Sequence, residues 1–284
     1  MFVDFLIFAM VVGPVCARVR VVTASPYDRE VDMVKIAAAE NKAADRIVLC
    51  ESEVTQAGHP RAPRLPHLKK VVPEIEIYQT TCHGSSRDYD LGWVCEGAPR
   101  RCAVEHACKN EPDSTVVVVS DADEIIAGEV ISSLSQTPPP HGVEISFAST
   151  MSVFMYGYFW EFVGRRYSTA HAKTCGAVRS NRRLRSVNYH RFSGWHCSYC
   201  FPVDEYLSKI HSMLKGDGWL SLSDHYWSME QLYAFRQHGI PLNGKTKMDA
   251  PKTRPPRAAL SIPYLMYNTN MTIALPSHPF TFPK

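Results

Sequence analysis

The chain has 284 residues, 45% of them hydrophobic and 21% charged, with a formal net charge of +3. This composition is ordinary for a folded globule and excludes a disordered or low-complexity chain. A balance so near neutral also excludes nucleic-acid binding driven by bulk positive charge.

Residues 2–12 are apolar apart from Asp4 and lead into Gly13-Pro14-Val15-Cys16-Ala17. The run is short for a bilayer span and fits the apolar region of a signal peptide, with small residues ahead of Arg18. Asp4 stands where a basic residue is usual, and Arg18 and Arg20 lie beyond the apolar run. Residues 1–17 are therefore expected to be a signal peptide or a short membrane anchor. Residues 18–284 are expected to form a single domain, since no internal repeat or boundary divides them.

A β-rich run at 18–23 precedes helical composition at 30–44. Residues 46–50 read as a second strand, ending in Glu51-Ser52-Glu53. A loop dotted with Pro60, Pro63 and Pro66 leads to a third strand at 74–79. Residues 101–109 read as a helix entering the next strand. This alternation predicts an α/β fold with a mostly parallel central sheet flanked by helices. Ligands of such sheets bind beyond the carboxyl ends of the strands, where Glu51 and Asp121 both fall.

The most informative stretch is Val116-Val117-Val118-Val119-Ser120-Asp121-Ala122-Asp123-Glu124. Four valines predict a strand buried on both faces, and three carboxylates follow within four residues. Continued strand alternation would point Asp121 and Asp123 the same way, with Ala122 leaving room between them. Like charges so close call for a cation, and hard oxygen ligands suit Mg²⁺ or Mn²⁺ shared with substrate phosphates. The bland alternative is a solvated acidic turn.

Beyond Pro138-Pro139-Pro140, an aromatic segment at 143–160 reads as two strands, and residues 203–214 and 228–238 read as helices. Ser193-Gly194-Trp195-His196-Cys197-Ser198-Tyr199-Cys200 is the second unusual cluster. Cys197 and Cys200 have the spacing of half a zinc site, but no second such pair exists. His196 is more informative as one imidazole completing a metal shell begun by Asp123, or else as a core histidine beside Trp195.

Without Cys16, eight cysteines remain, an even number that permits disulfides in a secretory compartment. Cys82, Cys95, Cys102 and Cys108 are expected to form local staples. The sequon Asn270-Met271-Thr272 is compatible with a lumenal location. Between Phe162 and Val203 no acid occurs, whereas Arg165, Arg166, Lys173, Arg179, Arg182, Arg183, Arg185 and Arg191 do. The block predicts an anionic partner, a face opposing the carboxylates, or a solvated basic surface.

Three segments in order carry a family resemblance: Ser120 to Ile125, Tyr156-Gly157-Tyr158-Phe159-Trp160, and Gly194-Trp195-His196-Cys197-Ser198-Tyr199-Cys200-Phe201. Together with Glu51-Ser52, Gly58-His59-Pro60-Arg61 and Pro263-Tyr264-Leu265, they resemble glycosyltransferase family 17 over residues 20–275. The resemblance implies a GT-A type nucleotide-diphospho-sugar transferase fold, a UDP-GlcNAc donor and a divalent cation, usually Mn²⁺. It also implies a β-1,4 linkage formed with inversion on a mannose-containing N-glycan or glycoprotein acceptor, in the Golgi or elsewhere in the secretory pathway. Carried over, Asp121, Asp123 and His196 would hold the metal. Glu51, Ser52 and Asp121 would likewise meet the donor; by charge and aromatic surface, rather than by the resemblance, Arg165, Arg166 and Trp195 are further candidates to meet it.

Inversion needs a carboxylate to take the acceptor hydroxyl's proton, and Glu124, Asp217 and Asp224 are the candidates. Two other readings remain open: the same fold with another UDP-sugar, and a secreted carbohydrate-binding protein without turnover. Nucleic acid is not expected as a partner, because the basic block carries no nucleic-acid motif.

Overall fold

The computed structural model describes residues 18–27, 31–55, 60–82, 89–147, 151–155, 158–160, 169–180 and 182–198. Eleven strands and five α-helices follow in chain order. They are β1 (Val21–Tyr27), α1 (Val31–Glu40) with a 3-10 turn at Asn41–Ala43, β2 (Arg46–Ser52), α2 (Leu65–Val71), β3 (Glu76–Thr80) and α3 (Tyr89–Cys108). Next come β4 (Val116–Val119), β5 (Glu124–Ile126), α4 (Gly128–Gln136), β6 (Val143–Ser146), β7 (Met151–Met155) and β8 (Tyr158–Trp160). β9 (His171–Thr174), α5 (Cys175–Ser180), β10 (Arg185–Asn188) and β11 (Gly194–Ser198) complete the set.

The expected mostly parallel sheet is present, seven strands in the order β10-β6-β9-β4-β1-β2-β3. β1 pairs in parallel with both β2 and β4, β2 with β3, and β6 with β10. Only β9 runs against its neighbours β4 and β6. The four valines of β4 are buried on both faces, and alternation divides them between two cores. Val116 and Val118 pack with Met33 and Ile36 of α1 and Val130, Ile131 and Leu134 of α4. Val117 and Val119 pack with Cys102, Ala103, Ala107 and Cys108 of α3 on the other face.

A smaller sheet, β5-β11-β7-β8, adjoins the first through the turn after β4. Segment 143–160 thus holds three strands rather than two. α2 replaces part of the expected proline loop, with Pro at its first turn, where the missing N–H costs nothing. α3 begins well before residue 101 and passes through Pro99, which removes one hydrogen bond from its ladder.

Disulfides join Cys50 to Cys102, Cys82 to Cys95 and Cys108 to Cys175. Only the second is the local staple expected of that stretch; Cys102 ties α3 to β2, and Cys108 ties it to α5. At the opposite end of the sheet from the β4 turn, Arg46 bridges Glu76 at 2.6 Å and Glu111 at 2.8 Å. Hydrogen bonding from Arg46 holds the Glu76 carboxyl below its usual range. No helix among the described residues is long and apolar enough to cross a membrane. The segment 1–17, the expected helices at 203–214 and 228–238, and the sequon at Asn270 lie outside the described residues.

Candidate functional site

Strand order reverses on either side of β1: the chain moves outward through β2 and β3, then returns to place β4 on the other flank. In open α/β sheets this switch point opens a crevice at the carboxyl ends of the strands, and ligands bind there. The ends of β1 and β4 meet at that point, where the Ser25 and Ser120 hydroxyls lie 3.2 Å apart. The acidic segment follows Ser120 directly.

The Asp121 and Asp123 side chains do not follow strand alternation. β4 stops at Val119, and a turn forms in which the Glu124 amide donates to the Asp121 carbonyl at 2.9 Å. The turn sends the two acids to different partners. Asp121 accepts both prongs of the Arg100 guanidinium, Nε on Oδ1 and Nη2 on Oδ2, each at 2.7 Å. Asp123, largely buried, has its Oδ1 3.8 Å from His196 Nε2.

His196 arrives from more than seventy residues downstream because β11 pairs antiparallel with β5, setting His196 opposite Glu124. Gly194 makes the approach feasible. A Cβ there would lie 2.1 Å from the Ile125 carbonyl oxygen, and its φ of +151° disfavours other residues.

Glu124, one of the expected candidate bases, supports the turn from beneath. Its side chain is 1% exposed. Oε2 accepts the Asp121 amide at 2.9 Å, and Oε1 accepts the Thr169 amide at 2.9 Å. Burial, reinforced by the Asp121 charge, pushes its pKa up to about 7, against the pull of His196 and the Asp121 amide. A carboxyl with both oxygens held by backbone amides and almost no solvent face is placed to support the turn.

Trp195, expected to meet the donor, lies in the core. It is 3% exposed and packs edge-on against Phe192, ring centroids 5.0 Å apart. Glu51 and Ser52 do end β2 on the crevice side, but they organise the loop that follows. Both Glu51 oxygens lie 3.1 Å from the Arg64 amide, and the Arg61 guanidinium donates to the Ser52 carbonyl at 2.8 Å. Arg165, Arg166, Asp217, Asp224 and Cys200 lie outside the described residues.

Among the described residues of the basic block, Lys173, Arg179 and Arg185 do not converge on the acids of the turn. Lys173 lies 3.7 Å from Glu144, Arg179 bonds Asp113 and the Cys108 and Glu111 carbonyls, and Arg185 is exposed on the edge strand β10. Two residues near the turn escaped the sequence reading. Arg100 lies just outside the helix expected at 101–109, whereas α3 begins twelve residues earlier, at Tyr89; α3 runs back toward the crevice, so its earlier residues approach the ligand end. His171 on β9 donates through Nδ1 to the Thr169 carbonyl at 2.7 Å, and burial holds its pKa below the usual histidine value. No motif marks it; only the pairing of β9 with β4 brings it near.

Among the described residues no three His, Cys, Asp or Glu side chains are arranged to hold a metal ion. Asp123 and His196 supply two neighbouring donors, while Asp121, the third expected ligand, is engaged by Arg100. A donor set of this size suits an ion that completes its shell with water and substrate phosphate oxygens, as Mg²⁺ and Mn²⁺ do.

The family model for glycosyltransferase family 17 matches residues 14–227, spanning the turn, β11 and the segment beyond. The chain belongs to glycosyltransferase family 17. Among relatives of this family member is the β-1,4-mannosyl-glycoprotein 4-β-N-acetylglucosaminyltransferase of Rattus norvegicus, 23% identical over 93% of this chain and 56% of that protein. The Homo sapiens protein of the same name is 24% identical over 70% of this chain and 44% of its own length. The chain thus spans about half the length of the relatives it matches. A crystal structure of S. aureus TarS 1–349 aligns with 78% of this family member at a TM-score of 0.37 and 9% identity, a likeness too distant to bear on function.

Proposed function

We propose that this chain is an inverting glycosyltransferase of GT-A type. On this reading it moves N-acetylglucosamine from UDP-GlcNAc to a mannose-containing glycan in β-1,4 linkage. One observation carries the reading: at the crevice of an α/β sheet, β11 pairing sets His196 beside Asp123. Family membership and the names of the relatives support the donor and acceptor. Disulfides between described residues favour an oxidising compartment such as the Golgi lumen.

Asp123 and His196 would hold a divalent cation, Mn²⁺ being the expected one. When bound, the cation supplies positive charge against the diphosphate of the departing UDP. The chain's own contribution is position. Glu124 fixes the turn through two backbone amides, so Asp123 needs little reorganisation when the donor enters. The acceptor hydroxyl must pass its proton to a carboxylate on the face opposite UDP. With Glu124 buried beneath the turn, Asp217 and Asp224 remain the proposed bases.

Purified full-length protein should release UDP from UDP-GlcNAc in the presence of Mn²⁺ and a mannose-terminated N-glycan, and EDTA should suppress the release. Turnover of another UDP-sugar alone would keep the transferase and reject this donor. Absence of release from every UDP-sugar, with glycan binding that persists in EDTA, would reject the transferase reading.

A further inference from the structure

Asp121 and Asp123 are two residues apart yet differ in how their charge is met. Asp121 faces a guanidinium with both carboxylate oxygens, in the fork geometry that makes arginine–carboxylate pairs strong and directional. Both partners of this pair are roughly a quarter exposed, so the pair is accessible to solvent rather than sealed in the core. The helix carrying Arg100 is fixed to β2 two residues later by the Cys50–Cys102 disulfide. The guanidinium is therefore held at the end of β4, and Asp121 is held by its own amide on Glu124.

We propose that Arg100 is a built-in counter-ion for Asp121 that competes with a divalent cation for the same carboxylate. The inference rests on the reading of Asp123 and His196 as cation ligands. A carboxylate with both oxygens turned to one guanidinium offers a second cation only its outer lone pairs, and two positive groups crowded on one carboxylate repel each other. Cation binding at Asp121 therefore works against Arg100 unless the fork opens. Arg100 acts through Asp121, so it is a positioning residue. Its consequence is an affinity for cation held low until substrate phosphate adds negative charge.

Mn²⁺ titration of the full chain without nucleotide, followed by electron paramagnetic resonance of the free ion, tests this. Arg100→Gln should bind Mn²⁺ about tenfold more tightly than the wild type, since a unit positive charge is removed a few ångströms from the ligand. Adding Asp121→Asn to that variant should abolish the gain. Arg100→Lys, which keeps the charge but loses the fork and guards against a misfolded glutamine variant, should bind Mn²⁺ only about two- to threefold more tightly, because an ammonium no longer holds both Asp121 oxygens at once. Equal or weaker binding by both Arg100 variants, with the wild type still binding, would overturn the counter-ion and leave the cation site standing. No Mn²⁺ binding by any of them would overturn both.

Discussion

At the residue scale, the chemistry depends on how one turn distributes three acids. Asp121 is neutralised by Arg100, Asp123 is set against His196, and Glu124 is buried as a support. Glu124 should make stability depend on pH. Its folded pKa, about 7, lies above the 4.5 of an ordinary glutamate, so the folded state holds a proton that the unfolded state has lost in between. Stability from this group is thus fully present below about pH 4.5 and is lost as pH rises toward 7. The loss is on the order of 3 kcal/mol, at 1.36 kcal/mol per pKa unit. Urea denaturation in EDTA across this range should show wild-type stability falling relative to Glu124→Gln, which has no proton to lose. Parallel curves for the two proteins would contradict the buried, proton-holding carboxyl.

At the element scale, the pairing of β5 with β11 carries His196 to the acids, and Gly194 permits it. Gly194→Ala should cost at least about 2 kcal/mol in urea denaturation, because its methyl would meet the Ile125 carbonyl oxygen at 2.1 Å. Gly142→Ala should cost only about 1 kcal/mol, since Gly142 has positive φ but open space around it. Equal losses would mean that the close approach at β5 is unimportant. These elements also show how far the sequence was legible. The valine run announced β4 because burial on both faces leaves a continuous apolar signature, and β2 and β3 were marked by turns and β-rich composition. β9 and β10 carry polar, partly exposed residues such as His171, Lys173 and Arg185, so periodicity does not mark them. His196 stood out in its unusual Trp-His-Cys cluster, whereas Arg100 needs the direction of α3 across the sheet, a tertiary fact that local pattern does not contain.

At the scale of the whole molecule, two cores and a set of disulfides hold α3 on one face of the sheet while α1 and α4 cover the other. That frame leaves the ends of β1 and β4 as the crevice and anchors the smaller sheet beside it. On the proposed function, Asp123 and His196 hold a cation shared with the donor's diphosphate in this crevice. A ligand that binds only the folded state raises the unfolding temperature. The most direct measurement is the thermal stabilisation of the full chain by UDP with Mn²⁺, compared between wild type and Asp123→Asn. Clear stabilisation of the wild type that EDTA removes is expected, with little or none in the variant. Equal stabilisation of both proteins, unchanged by EDTA, would contradict the shared cation.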